Sequence, residues 1–134
     1  MDPPEAAVGV LRNAHRLCEP GGLLLHLTCV PPPAAIEVDG RLLGRLDESA
    51  FLDRVARTEE AVELLIAEGL LVDEASLAHD VLKHYGTGAA AIADIDERPF
   101  IRIPAPLRKE LTDVAGPVVE RTACLLRRLR VLPG

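Results

Sequence analysis

The side chains best placed to do chemistry are His26 and Thr28, which interrupt the apolar run Leu23-Leu24-Leu25-His26-Leu27-Thr28-Cys29-Val30. A run of this length reads as a strand. Open α/β sheets take ligands beyond the carboxyl ends of their strands, so His26 and Thr28 are the substrate-facing candidates. The plainer reading packs His26 against a covering helix with its ring nitrogens hydrogen-bonded. His79, Asp80 and His84 form a second group. Strand alternation puts Asp80 and His84 on one face and His79 on the other. A carboxylate–histidine pair suits acid–base work, but no nucleophile stands beside it, and ordinary strand surface is the simpler role.

Other chemistry-bearing residues are weaker candidates. Asp94, Asp96 and Glu97 are of a type to ligate a divalent ion, yet no Gly-containing twelve-residue calcium loop surrounds them. A solvated helix end accounts for them. Cys18, Cys29 and Cys124 are odd in number and form no CxxC pair. The set Cys18, His26 and Cys29 fits no common zinc frame. The thiols read as buried and reduced, which points to the cytoplasm. The apolar setting of Cys29 raises a thiol pKa and gives no activated nucleophile. Ser49 and Ser76 lie in no G-x-S-x-G elbow. No catalytic, cofactor-binding or metal residue is assigned.

The elements that would position these groups follow from periodicity. Glu5–Cys18 reads as a helix, with Ala7, Leu11, Ala14 and Cys18 on one stripe, stopped by Glu19-Pro20-Gly21-Gly22. Leu23–Val30, apolar on both faces, reads as an interior strand covered by helices on each side. Pro31-Pro32-Pro33 takes the chain out of the ladder. Ile36–Leu43 reads as a hairpin, because Asp39-Gly40 tolerates the positive φ angles of a type I′ turn and sets Val38 opposite Arg41. Asp47 caps a long helix to Glu68, with Phe51, Val55, Val62, Leu65 and Ile66 inward and Arg54, Arg57, Glu59, Glu60 and Glu63 in water, closed by Gly69. A strand is expected within Leu71–His84, then short helices at Ala89–Ile95 and Pro106–Val114. Val119–Val131 satisfies both a strand and a helix. As a strand, its apolar face would be Val119, Arg121, Ala123, Leu125, Arg127, Leu129 and Val131.

Composition narrows the class. The 134 residues fit one domain, 1–134, and carry a formal charge of −6 with 2% aromatic residues. An acidic, aromatic-poor chain suits neither phosphate backbones nor base stacking, so no nucleic-acid partner is expected. The apolar run is about half of the ~20 residues a membrane span needs, and the start Met1-Asp2-Pro3-Pro4-Glu5 has no basic leader region. No membrane partner is expected either. Charge is uneven: Ala35–Asp80 holds twelve acids against four arginines, whereas Arg121, Arg127, Arg128 and Arg130 crowd the end. These read as a solvated acidic helix and a solvated basic strand face.

Helix, Gly-Gly turn, strand, long helix, strand, small helices and strand is an α/β layer order. Within it, Leu11-Arg12-Asn13-Ala14-His15-Arg16-Leu17-Cys18-Glu19-Pro20-Gly21-Gly22-Leu23-Leu24-Leu25 resembles the helix–Pro-Gly-Gly–strand segment of class I S-adenosylmethionine-dependent methyltransferases. The resemblance implies a partial Rossmann-like sheet, the C-terminal half of that fold, with covering helices and a small β-hairpin insertion. Leu23–Val30 would correspond to the family's fifth strand, which lies between the fourth and the seventh. The family's cofactor motifs precede this segment, and the chain holds no G-x-G-x-G; the nearest string, Gly86-Thr87-Gly88, lacks the third glycine. The resemblance therefore implies no cofactor on the chain's own, and S-adenosylmethionine only where a partner supplies the missing half. Without a fourth strand, Leu23–Val30 would present an unpaired edge. This implies a homo-oligomer or a partner protein chain. The functions to weigh are an accessory or truncated methyltransferase-like domain, the substrate-binding half of a split small-molecule methyltransferase, and a free-standing α+β binding domain. In the split enzyme, Ile36–Leu43 and Gly86–Asp96 would form the substrate lid.

Overall fold

The computed structural model describes residues 3–133. Its elements, in chain order, are α1 (Pro3–Leu17), β1 (Leu23–Cys29), β2 (Ala35–Val38), β3 (Arg41–Arg45), α2 (Ser49–Ala67), β4 (Leu71–Tyr85), α3 (Gly88–Asp96), α4 (Ala105–Thr112) and β5 (Val118–Val131). The class is α/β, with five strands in one antiparallel sheet. Its centre is β5. Val30 N–H donates to the Ala123 carbonyl and Val131 N–H to that of Gly22, which sets β1 antiparallel to β5. β2 pairs with the preceding stretch of β5, Ala35 opposite Arg121 and Glu37 opposite Val119. β3 pairs with β2, and β4 with β5. No described helix is long and apolar enough to cross a membrane.

The chain forms two compact units, each drawn from separate segments. In the first (described residues 3–28, 53–78 and 125–133), α1 and α2 pack on the sheet through Leu11, Val62 and Leu65 against Leu24, Leu129 and Val131. Strand alternation then turns Leu23, Leu25 and Leu27 to the opposite face, where they are 44%, 69% and 57% exposed. The expectation of a strand covered on both sides is corrected here. β1 lies at the margin of the sheet and carries helices on one face only.

In the second unit (residues 29–52 and 79–124), β2, β3, α3, α4 and the first part of β5 enclose Ile36, Leu46, Ile95, Leu107, Leu111 and Val118. The hairpin forms as its turn chemistry dictates. Asp39 and Gly40 have φ of 53° and 74°, and Val38 faces Arg41. The α3–α4 contact depends on Gly88, where an added Cβ would lie 1.8 Å from the Leu111 carbonyl oxygen.

β5 is a strand, which resolves the double periodicity of Val119–Val131. Its buried side chains change parity along its length. Val118, Glu120 and Cys124 are buried in one part, and Arg127, Leu129 and Val131 in the other. The expected single apolar face therefore holds only for the later residues. Arg127 is 6% exposed, so it does not belong to a solvated basic face. Nor does Glu59 point to water, since it reaches both His26 and Arg127.

Candidate functional site

The first unit places His26 on the helix-covered face of β1. Alternation from the packed Leu24 puts it there, and its Nε2 lies 2.5 Å from Glu59 Oε1 of α2. Glu59 also accepts from Arg127 Nη1 at 3.0 Å, and Arg127 Nη2 reaches Glu63 at 3.0 Å and Asp73 at 2.7 Å. Burial works against the charge on Arg127, but Asp73, Glu63 and Glu59 outweigh it and hold the guanidinium above its usual pKa. Thr28, two residues on, is 8% exposed. The network links α2, β4 and β5 through ion pairs, and β1 joins it through the His26–Glu59 hydrogen bond.

The second unit holds a tighter cluster. Arg98 clamps Glu120 with both guanidinium nitrogens, Nη1 to Oε2 at 2.7 Å and Nη2 to Oε1 at 2.8 Å. A two-pronged arginine–carboxylate contact is among the strongest polar contacts available to a protein. Arg98 Nη2 also donates to Tyr85 Oη and to Asp94 Oδ2, both at 2.7 Å. Tyr85 Oη donates to Asp94 at 2.5 Å, and Lys83 donates to it at 2.8 Å. Lys83, Tyr85 and Arg98 together hold the Asp94 carboxyl far below its usual range. Burial, then the Asp94 contact, pushes the Tyr85 phenol far up.

Glu48 lies at the start of α2, 4% exposed, where its Oε2 accepts from Ala34 N–H at 3.2 Å. Burial pushes its pKa up, and the charge of Glu120 adds to this. Cys29 lies against Cys124. Burial first, then Cys124 and the nearby carboxylates, raises the Cys29 thiol to about 11. The expectation of an unactivated thiol agrees with that direction, and all three cysteines are free.

Two of the remaining candidates, Asp80 and Asp96, are engaged in surface pairs. Asp80 meets Arg121 at 3.1 Å, and Asp96 accepts twice from Arg108, at 2.6 and 3.0 Å. Among the described residues, no three His, Cys, Asp or Glu side chains are grouped to hold a metal ion. Gly86-Thr87-Gly88 joins a strand to a helix, β4 to α3. Three of its amides are engaged: Gly88 N–H bonds to Val114 O, Ala91 N–H to Thr87 O, and Ala90 N–H to Thr87 Oγ1. These bonds pack and cap α3.

Two surface concavities stand out. One, of about 480 Å³, lies in the first unit between α1 and the chain's end, with Arg12, His15 and Arg16 on its rim. These side chains already meet Glu68, the Leu132 carbonyl and Asn13. The other, of about 320 Å³, lies in the second unit between Asp47 and Phe100. Neither includes His26 or Thr28 among its lining residues. Arg98, Glu120 and Glu48 escaped the sequence reading. The signal available was a charged residue, Glu120, on the strand parity that Val118 and Cys124 share. Comparison with protein-family models, curated proteins and solved structures finds no match to this chain.

Proposed function

We propose that this chain is a methyltransferase-like accessory domain, the C-terminal half of a Rossmann-like class I fold without its own S-adenosylmethionine motif, and that it associates with another chain through β1. The observation that carries the reading is the position of β1. The helix–Pro-Gly-Gly–strand segment ends in a strand whose described neighbour is β5, the last strand of the chain. That is the relation the family gives its fifth and seventh strands. The other edge of β1, where the family places its fourth strand, has no partner among the described residues.

The buried charge networks support a binding or scaffolding role for this half. Their carboxylates and arginines are spent on one another, and the unactivated Cys29 offers no nucleophile. Isothermal titration of the isolated chain with S-adenosylmethionine tests the reading. No heat is expected. Stoichiometric binding by the lone chain would overturn it, and binding that appears only with a chain bearing a strand–G-x-G-x-G–helix segment would identify the split enzyme instead.

A further inference from the structure

We infer that β1 pairs with β1 of a second copy, antiparallel, about a twofold axis through His26. This rests on the reading that another chain binds the β1 edge, and it names the occupant and the register. The sheet has three outer strands, β1, β3 and β4. Edge strands of monomers are blunted by charge, proline or shortness. β3 is five residues long and carries Arg41 and Arg45. β4 carries Asp73, Glu74, Asp80 and Lys83. β1 has none of these devices: Leu-Leu-Leu-His-Leu-Thr-Cys contains no Asp, Glu, Lys, Arg or Pro. Its edge is built to be covered.

The backbone fixes which groups face outward. Gly22 O and Val30 N–H bond to β5, so even-numbered residues aim their polar groups inward across the ladder. Leu23, Leu25 and Leu27 therefore turn N–H and C=O to the open side. A twofold at His26 sets Leu25 against Leu27 of the second copy in hydrogen-bonded pairs, and Leu23 against Cys29. This register runs the two strands alongside each other over their whole length, whereas any other twofold register leaves an end overhanging. The same pairing brings the exposed leucine faces of both copies into one apolar strip, and no charge opposes a like charge across it. His26, on the axis, keeps its contact with Glu59 on the helix-covered face. One strand pair with three leucines a side buries less than the ~800 Å² per partner of a standard interface, so a micromolar dimer is expected.

Light scattering over ~10–200 µM should show the mass rising from 14.4 kDa toward twice that value. The double variant Leu25→Lys/Leu27→Lys should stay at the single-chain mass throughout, with an unchanged far-ultraviolet circular dichroism spectrum, since both side chains already face water. Register is read by crosslinking with oxidised glutathione, which accepts the two electrons and two protons released as two thiols become a disulfide. A mixture of Leu25→Cys and Leu27→Cys chains should crosslink at least tenfold more than either alone. A wild-type chain that stays single at the highest concentration, a double variant that still dimerises, or equal crosslinking of Leu25→Cys with itself would each overturn the proposal. The two readings fail separately. Adenosyl binding by the lone chain removes the function proposed above and leaves the dimer standing, whereas a single-chain mass removes the dimer alone.

Discussion

Arg98 and Arg127 sit in different units, and each gathers carboxylates that lie far from it in sequence or on another element. What differs is where those carboxylates could go if the arginine were lost. Glu120, the main partner of Arg98, is 4% exposed, and the similarly buried Glu48 adds its charge nearby. The side chains of Glu59, Glu63 and Asp73 around Arg127 are 26%, 63% and 40% exposed. An ion pair's worth to a fold depends on the solvation left to the surviving partner more than on the number of contacts. The first arginine is a lock. The second is a tie that water can replace.

The largest expected effect tests that difference directly. Arg98→Leu strands a buried carboxylate and should cost about 3 kcal/mol, read from the urea midpoint. Arg127→Leu removes three ion pairs against the two of Arg98, but leaves carboxylates able to hydrate, and should cost about 1 kcal/mol. Equal losses would erase the distinction. Glu48→Gln carries the opposite sign, a gain of up to about 1 kcal/mol at neutral pH. Burial raises the Glu48 pKa above its ordinary 4.5, so the folded chain keeps a proton that the unfolded chain releases. Its contribution to stability is thus full below that value and is lost as pH rises through the folded pKa; the glutamine variant should not show this decline. Asp94 works the other way. Held low first by Lys83, then by Tyr85 and Arg98, it contributes above its ordinary 3.8 and loses that contribution as pH falls. Glu63→Ala, at the exposed rim of the Arg127 group, should change stability by less than about 0.5 kcal/mol in thermal unfolding.

Local rules reached some of this molecule and not the rest. Asp39-Gly40 announced its hairpin because only a few residues tolerate two successive positive φ values. The apolar stripe of α2 was equally plain, because its residues Val62 and Leu65 enter the core. β1 misled in one respect: an unbroken apolar run looks the same whether both faces are covered or one is bare. β5 was undecidable because its buried parity changes midway, which blurs a period of two into something near a helical one. The charge networks were invisible for a different reason. Arg127 meets Asp73 54 positions away, and Arg121 meets Glu37 84 positions away, and no spacing rule spans such gaps. Within the candidate site, the type of His26 was legible, but its partner was not, since Glu59 reads as one more acid on a polar helix.

The charges along β4 also determine how far assembly can proceed. Once two β1 strands have joined, the margins that remain are those bearing Asp73, Glu74, Asp80 and Lys83 on one side and Arg41 and Arg45 on the other. Among the described residues β1 is the one outer strand without charge or proline, so the proposed pairing would stop at two copies and would not grow into fibres.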